Sequence, residues 1–366
     1  MIPVIPKKYL KYIFPMFGTE RTKEILNVNP TLDTIRPNNL DVIIQVYEYN
    51  EHEIIHHQLN KVQDCLAFTK TDKTIWINVD GFSEGTVEHI CKLFGIHALI
   101  TEDILSSGQR PKMDEMPHHL SCLLNMLYYN DKQNAVDTEQ VSIILGSNYV
   151  ITFQEDASRD VFNPLREKLL VKGSRIRNYK ADYLCYALLD MIVDNYYLVM
   201  EKLSNAIEIA EEEVIRKSNA ATLAKITSLR KEMIVLKRNV MPLRELVNGF
   251  LRSESALVSD NAIKYFKDVY DHIVQANDLC ENYRDIIIGL QDLYLNQTNL
   301  KMNETMKVMA IVTCLLAPAT VIGGVFGMNF DKIPLLHDTI GFYIAAAAML
   351  IIPIIMLVAF RKRGWF

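Results

Sequence analysis

Two rows of side chains at seven-residue spacing carry the chemistry this sequence offers. In one, Asp271, Asp278, Asp285 and Asp292 recur, and the row continues through Asn299 into Met306, Thr313, Thr320 and Gly327. Beside it run Asn303, Ala310, Ala317 and Gly324, while the bulky Val308, Ile311, Leu315, Ile322 and Val325 fall elsewhere. Carboxylates followed by amide, hydroxyl and glycine make a wall that gathers cations and then offers them neutral oxygens. The same small residues serve close helix packing in lipid, and aspartates at this spacing also suit a solvated surface face. A straight helix drifts about 20° per heptad, so the row stays axial only if several helices supercoil or splay around it.

The elements that must position these rows are long helices. From Asn261 to Val325 only Pro318 interrupts helical character, which predicts an element of roughly 100 Å. Its apolar seam, Phe266, Ile273, Cys280, Ile287 and Tyr294 with Val269, Ala276, Tyr283 and Leu290 interleaved, reads as a coiled-coil or oligomer seam. The last part, Met306 to Phe330, is uncharged from Val308 onward, and about 20 apolar residues cross a bilayer. A second uncharged span runs from Ile340 to Phe360 with Pro353 near its middle, followed by Arg361, Lys362 and Arg363. With Lys301 and Lys307 before the first span, positive flanks place both termini in the cytoplasm and only Asp331 to Thr339 outside.

Upstream, residues 1 to about 40 are Pro-rich and irregular. The runs DVIIQVYEY, HEIIHHQL, TIWINVD, LSCLLNMLYY and VSIILGSNYVITF read as strands, alternating with helix-like stretches at Thr86 to Phe94 and Arg159 to Val171. That is an α/β domain with a mixed sheet. After Arg177 only helices follow, first an antiparallel hairpin whose second arm, Ala221 to about Ser253, contains Pro242, expected to kink or interrupt it. Glu208, Glu211, Glu212 and Glu213 near the far end of the first arm form either a solvated face or a cation-concentrating cluster.

Composition narrows the classes. The 39 basic and 44 acidic residues give a net charge of -5, which argues against a general nucleic-acid binder. Mean hydropathy is only +0.05, so most of the chain is not membrane. Six cysteines without a Cys-x-x-Cys pair read as reduced thiols of a cytosol-facing protein. The opening MIPVIPKKYLKYIFPMFG lacks a signal-peptide core. No phosphate-binding Gly-x-x-x-x-Gly-Lys-Ser/Thr run is present, and no nucleophile and base pair suggests an enzyme. His52, His56 and His57, or His118 and His119, invite a zinc reading, but no cysteine partners stand at zinc-site spacing.

The tail of the first span, Phe326-Gly327-Met328-Asn329-Phe330, resembles the Tyr-Gly-Met-Asn-Phe signature of the CorA family of magnesium channels. The likeness extends through MNETMKVM, Pro318, the second span and the terminal Arg-Lys-Arg-Gly-Trp-Phe. GIHALITEDILSSGQRPK looks like a loop of that family, ADYLCYALLDMIVDNYY matches further, and YFKDVYDHIVQANDLCENYRDIIIGLQDLYLN is similar to its stalk helix. The resemblance implies an α+β membrane protein, a funnel-shaped homopentamer in the cell (inner) membrane. Each chain would comprise an N-terminal cytoplasmic α/β/α domain with its hairpin (1–254), a stalk helix (255–305), a pore helix ending in Gly-Met-Asn (306–330), an outer loop (331–339) and a second span with a basic tail (340–366).

On that resemblance Gly327, Met328 and Asn329 form the filter, and Asp285, Asp292, Asn303, Met306, Met309, Thr313, Ala317, Thr320 and Gly324 line the pore. Magnesium prefers octahedral oxygen and keeps its waters, so the Asn329 amide would hold the hydrated ion, with Met306 and Met309 as an apolar constriction. Regulatory magnesium would bridge subunits at Asp103 and Asp268, with Glu102 and Asp190 nearby. Magnesium is thus both cargo and regulatory ligand, and no organic cofactor is expected. The family pore often has leucine at Met309 and methionine at Ala317, its signature begins with Tyr rather than Phe326, and its outer loop carries an acidic residue that IPLLHD lacks, leaving Asp331 and Asp338. Competing readings are a channel for magnesium with cobalt and nickel, a zinc transporter of the same superfamily, and a membrane-anchored sensor that conducts nothing.

Overall fold

The computed structural model describes residues 42–69, 71–81, 83–329, 333–335 and 339–365. Residues 1–41, Phe330, Asp331 and Asp338 lie outside them. The chain divides into two compact units, Met1–Gln291 and Asp292–Phe366.

In the first unit, β1 (Ile43–Tyr49), β2 (Ile54–Leu59) and β3 (Thr74–Asp80) are followed by β4 (Lys112–Met116), β5 (His119–Asn130), β6 (Ala135–Leu145) and β7 (Tyr149–Gln154). They form one sheet in the order β2-β1-β3-β7-β6-β5-β4. Every neighbouring pair is antiparallel except β3 and β7. Alternation decides which side chains face which layer. Ile75, Ile77 and Val79 join Val87, Ile90 and Cys91 of α1 (Glu84–Leu93) and Ile100 and Ile104 of α2 (Ala98–Leu105) in one core. Trp76, Asn78 and Asp80 alternate with them, and the Trp76 indole donates to Thr152 Oγ1 at 3.0 Å.

Downstream come α3 (Asn163–Leu170), α4 (Arg175–Asn178), and the hairpin of α5 (Ala181–Arg216) and α6 (Ala220–Arg252). Asn219 caps α6 by accepting from the N–H groups of Ala221 and Thr222 at 2.9 and 3.0 Å. The hairpin is stitched to the sheet by polar groups. Asn195 Nδ2 donates to the Leu127 carbonyl at 2.6 Å, Asn125 Nδ2 to Asn239 Oδ1 at 2.7 Å, and the Val136 N–H to Glu232 Oε2 at 2.7 Å. The α/β/α layering expected from the sequence is therefore present.

Four readings are corrected. VSIILGSNYVITF is two strands, because Gly146–Asn148 turn the chain and the Gly146 N–H returns to the Tyr149 carbonyl at 2.8 Å. GIHALITEDILSSGQRPK is not a loop throughout: Ala98–Leu105 is helical, started by His97 Nδ1 accepting from the Leu99 N–H. Of the kink or interruption expected at Pro242, the interruption does not occur, since Pro242 lies inside α6 without ending it. The heptad seam of α7 (Asp260–Phe326) is not an oligomer seam as far as Leu290. Phe266, Val269, Ile273, Ala276, Cys280, Ile287 and Leu290 are buried within the single chain, Phe266 stacking on Phe250 of α6 at 4.5 Å between centroids.

The second unit holds the end of α7 and α8 (Thr339–Lys362). Both helices are long and apolar enough to cross a membrane, and one chain buries almost none of their apolar windows. The α8 terminus closes at Gly364, in the left-handed region at φ 70°, where the Trp365 N–H donates to the Phe360 carbonyl at 3.0 Å and the two rings stack.

Candidate pore and carboxylate sites

The aspartate row lies on the face of α7 opposite the buried seam, since five residues beyond each seam position is nearly half a turn away. Asp271, Asp278, Asp285 and Asp292 are all exposed, and Asp285 Oδ1 pairs with Arg284 Nη2 at 2.9 Å. Within one chain the seam is satisfied by the chain itself and the carboxylates face away from it.

Farther along, Asn303, Met306, Met309, Thr313, Ala317, Thr320 and Gly324 are exposed as well. The Thr313 hydroxyl donates to the Met309 carbonyl at 2.9 Å and the Thr320 hydroxyl to the Leu316 carbonyl at 3.1 Å. Each hydroxyl thus spends its proton on its own helix and turns lone pairs outward. Helical geometry ends at Phe326, where the Gly327 N–H still reaches the Gly323 carbonyl at 3.0 Å and the Met328 N–H reaches Val325 at 3.3 Å. A Cβ at Gly327 would stand 3.1 Å from the Gly323 oxygen, a tight contact with backbone that glycine avoids. Met328 and Asn329 follow as exposed, non-helical residues.

The carboxylates expected to bind regulatory magnesium separate into two places. Glu102 and Asp103 lie in the last turn of α2, Glu102 exposed and Asp103 paired to Lys112 Nζ at 2.6 Å. Asp190 of α5 gathers with Asp194 and His272, their possible ligand atoms all within 4.8 Å of one another. Tyr186 OH donates to Asp190 Oδ2 at 3.3 Å, and His272 Nδ1 stands 4.0 Å from Asp190 Oδ1. Burial, then the negative charge of Asp194, lifts the Asp190 carboxyl above its usual range, with the charge of Asp268 acting in the same direction. A cation among these groups would offset that repulsion. Asp268 is near enough for its charge to act on Asp190, and among the described residues the partners of Asp103 do not include it. Asp194 and His272 were missed in the sequence. Their signal was Asp-x-x-x-Asp on one helix and Asp268-x-x-x-His272 on the next, since residues four apart share a helix face.

A family profile described as "CorA-like Mg2+ transporter protein" matches residues 71–362. The chain belongs to the CorA family. It is 36% identical to the "Cobalt/magnesium transport protein CorA" of Thermotoga maritima over 89% of this chain and 93% of that one. Identity to the protein so named in Methanocaldococcus jannaschii is 24%, over 80% and 92% of the two chains. The complete structure of the CorA magnesium transporter from Methanocaldococcus jannaschii shares the fold, with a TM-score of 0.73 at 22% identity over 90% of this chain and all of that one. The ZntB cytoplasmic domain from Vibrio parahaemolyticus is more distant, with a TM-score of 0.52 at 15% identity over 71% of this chain and 99% of that one. As a CorA protein, this chain is a membrane protein of a transporter family, and its two apolar C-terminal helices are each long and apolar enough to cross a bilayer.

Proposed function

We propose that the chain forms a passive channel for Mg2+, with Co2+ and Ni2+ as further permeant ions, as a homopentamer with both termini in the cytoplasm. The observation that carries the reading is the exposed polar row of α7, running from the aspartates through back-bonded threonines to Gly327 and Asn329 at the point where the helix ends. Aspartates concentrate divalent cations at the inner end, threonine lone pairs accept from the ion's water shell, and the Asn329 amide receives the hydrated ion at the outer end. Met306 and Met309 interrupt this wall with thioether side chains and gate by dewetting. One elementary charge crossing 100 mV releases about 2.3 kcal/mol, so a divalent ion gains twice that without ATP. Cytoplasmic Mg2+ bound between Asp103 and the neighbouring subunit's carboxylates at Asp268 and Asp190, with Glu102 beside them, closes the channel.

The test is flux into proteoliposomes with magnesium, cobalt and zinc, at imposed voltage and at imposed pH gradient, with native mass spectrometry of the conducting species. Voltage-driven magnesium flux through a pentamer is expected. Zinc flux tied to the pH gradient favours a zinc transporter, and no flux of any ion favours a sensor.

A further inference from the structure

Asp103 is held in place from several sides. Its carbonyl accepts from Ser106 Oγ at 3.0 Å and from Gln140 Nε2 at 3.2 Å, and Gln109 Nε2 donates to Ser106 Oγ at 2.7 Å. Arg238 of α6 donates to the Gly108 carbonyl at 3.2 Å, fastening the same loop to the hairpin. Lys112 opens the edge strand β4 and sets its Nζ 2.6 Å from Asp103 Oδ2 and 3.4 Å from Asp114 Oδ2. The Asp103 side chain keeps 20% exposure and that of Lys112 36%, so the pair is reachable from outside the chain.

We infer that Lys112 is a tethered ammonium that competes with divalent cations for Asp103, setting both the concentration at which the sensor responds and its discrimination against monovalent ions. The inference rests on the proposed regulatory role of Asp103. A dication arriving at Oδ2 meets a like charge and must displace it. Asp114 stands ready to keep the displaced ammonium, so the exchange ends with both carboxylates paired. Potassium brings no more charge than the ammonium it would replace, and it competes against a hydrogen-bonded group whose tether gives an effective concentration of roughly millimolar or above. Magnesium brings twice the charge and wins that exchange. Without the lysine, Asp103 offers a bare carboxylate to any cation.

The full-length oligomer in detergent is titrated with magnesium at several fixed potassium concentrations while protection of the soluble domain from protease is followed. Lys112→Met keeps most of the aliphatic stem. Its magnesium midpoint is expected to fall about tenfold, the equivalent of one charge-assisted hydrogen bond, and potassium then shifts that midpoint more than in the parent. Lys112→Arg, with a guanidinium that can grip a carboxylate through two N–H groups, is expected to raise it. Should Lys112→Met fail to assemble, Lys112→Gln asks the same question. A parental midpoint and potassium dependence in the assembled variant overturn the inference. Asp103→Asn separates the two layers: if it titrates like the parent, the sensor reading itself fails. If it loses the response while Lys112→Met titrates like the parent, the sensor stands and the role of Lys112 falls.

Discussion

The phenol of Tyr197 donates to the backbone carbonyl of His272 at 2.6 Å, pinning α5 to α7 at the level where Asp190, Asp194 and His272 converge. One turn earlier on α7 stands Asp268, whose charge already acts on Asp190. In the proposed oligomer, the register of two helices in one chain would thus decide which carboxylates a neighbouring subunit meets.

Asp268→Lys follows from that register. It gives a permanent positive charge to Asp190 in its own chain and, at the proposed intersubunit site, would give one to Asp103 of the neighbour, so the subunits are expected to stay together without metal. Protease protection of the soluble domain at low magnesium measures this. Digestion like the parent across a magnesium titration would return Asp268 to the solvated helix surface.

Asn329→Ala removes the polar side chain just past the end of α7. Magnesium uptake is expected to be abolished while assembly persists. Parental flux through a properly assembled variant counts against the filter assignment.

Neutralising Asp285 and Asp292 together, both exposed on the face away from the buried seam, is expected to lower conductance most at low ionic strength, where a screening length of about 30 Å at 0.01 M lets rings of charge act together. A parental conductance at every salt concentration would leave them as surface residues.

Glu139 gives a pH dependence of stability. Burial raises its carboxyl above the usual range despite N–H groups donated by Glu155 and Asp156 at 2.8 Å. A raised folded-state value means the folded chain binds the proton more readily, so this group's contribution falls as pH rises from the ordinary carboxylate value, about 4.3, toward the folded one, and stays low above it. Glu139→Gln, whose carbonyl oxygen still accepts both N–H groups, is expected to be at least as stable as the parent at pH 7 and to lose that advantage near pH 4. Thermal unfolding of the full chain at the two pH values decides it.

Long apolar or periodic stretches were legible in the sequence. The long helix was expected over Asn261 to Val325 and runs Asp260–Phe326; the second span was expected from Ile340 to Phe360 and the helix is Thr339–Lys362. In both, few competing turn signals interrupt the pattern. Strand β4 and the first half of β6 were not legible, because Lys112, Asp114 and Glu115, and Asp137, Thr138, Glu139 and Gln140, break the apolar alternation a strand is read from. The seam's partner was misread for a related reason. A seven-residue repeat states that a face is covered, and Phe250 of the same chain covers it as well as a second subunit would. Asp103 was marked by resemblance alone, and its pairing with Lys112 depends on a strand the pattern did not reveal.

The single parallel pair in the sheet governs the order in which the chain can be completed during synthesis. Strands β1, β2 and β3 pair locally, and so do β4 to β7, yet Ile75 of β3 lies opposite Tyr149 of β7. At roughly 5–20 residues per second, the open edge of β3, with Trp76 and Ile77 on it, waits several seconds on the ribosome for its neighbour. Until β7 emerges, that edge is a template for any extended segment nearby. That exposure falls well before either apolar C-terminal helix has been made.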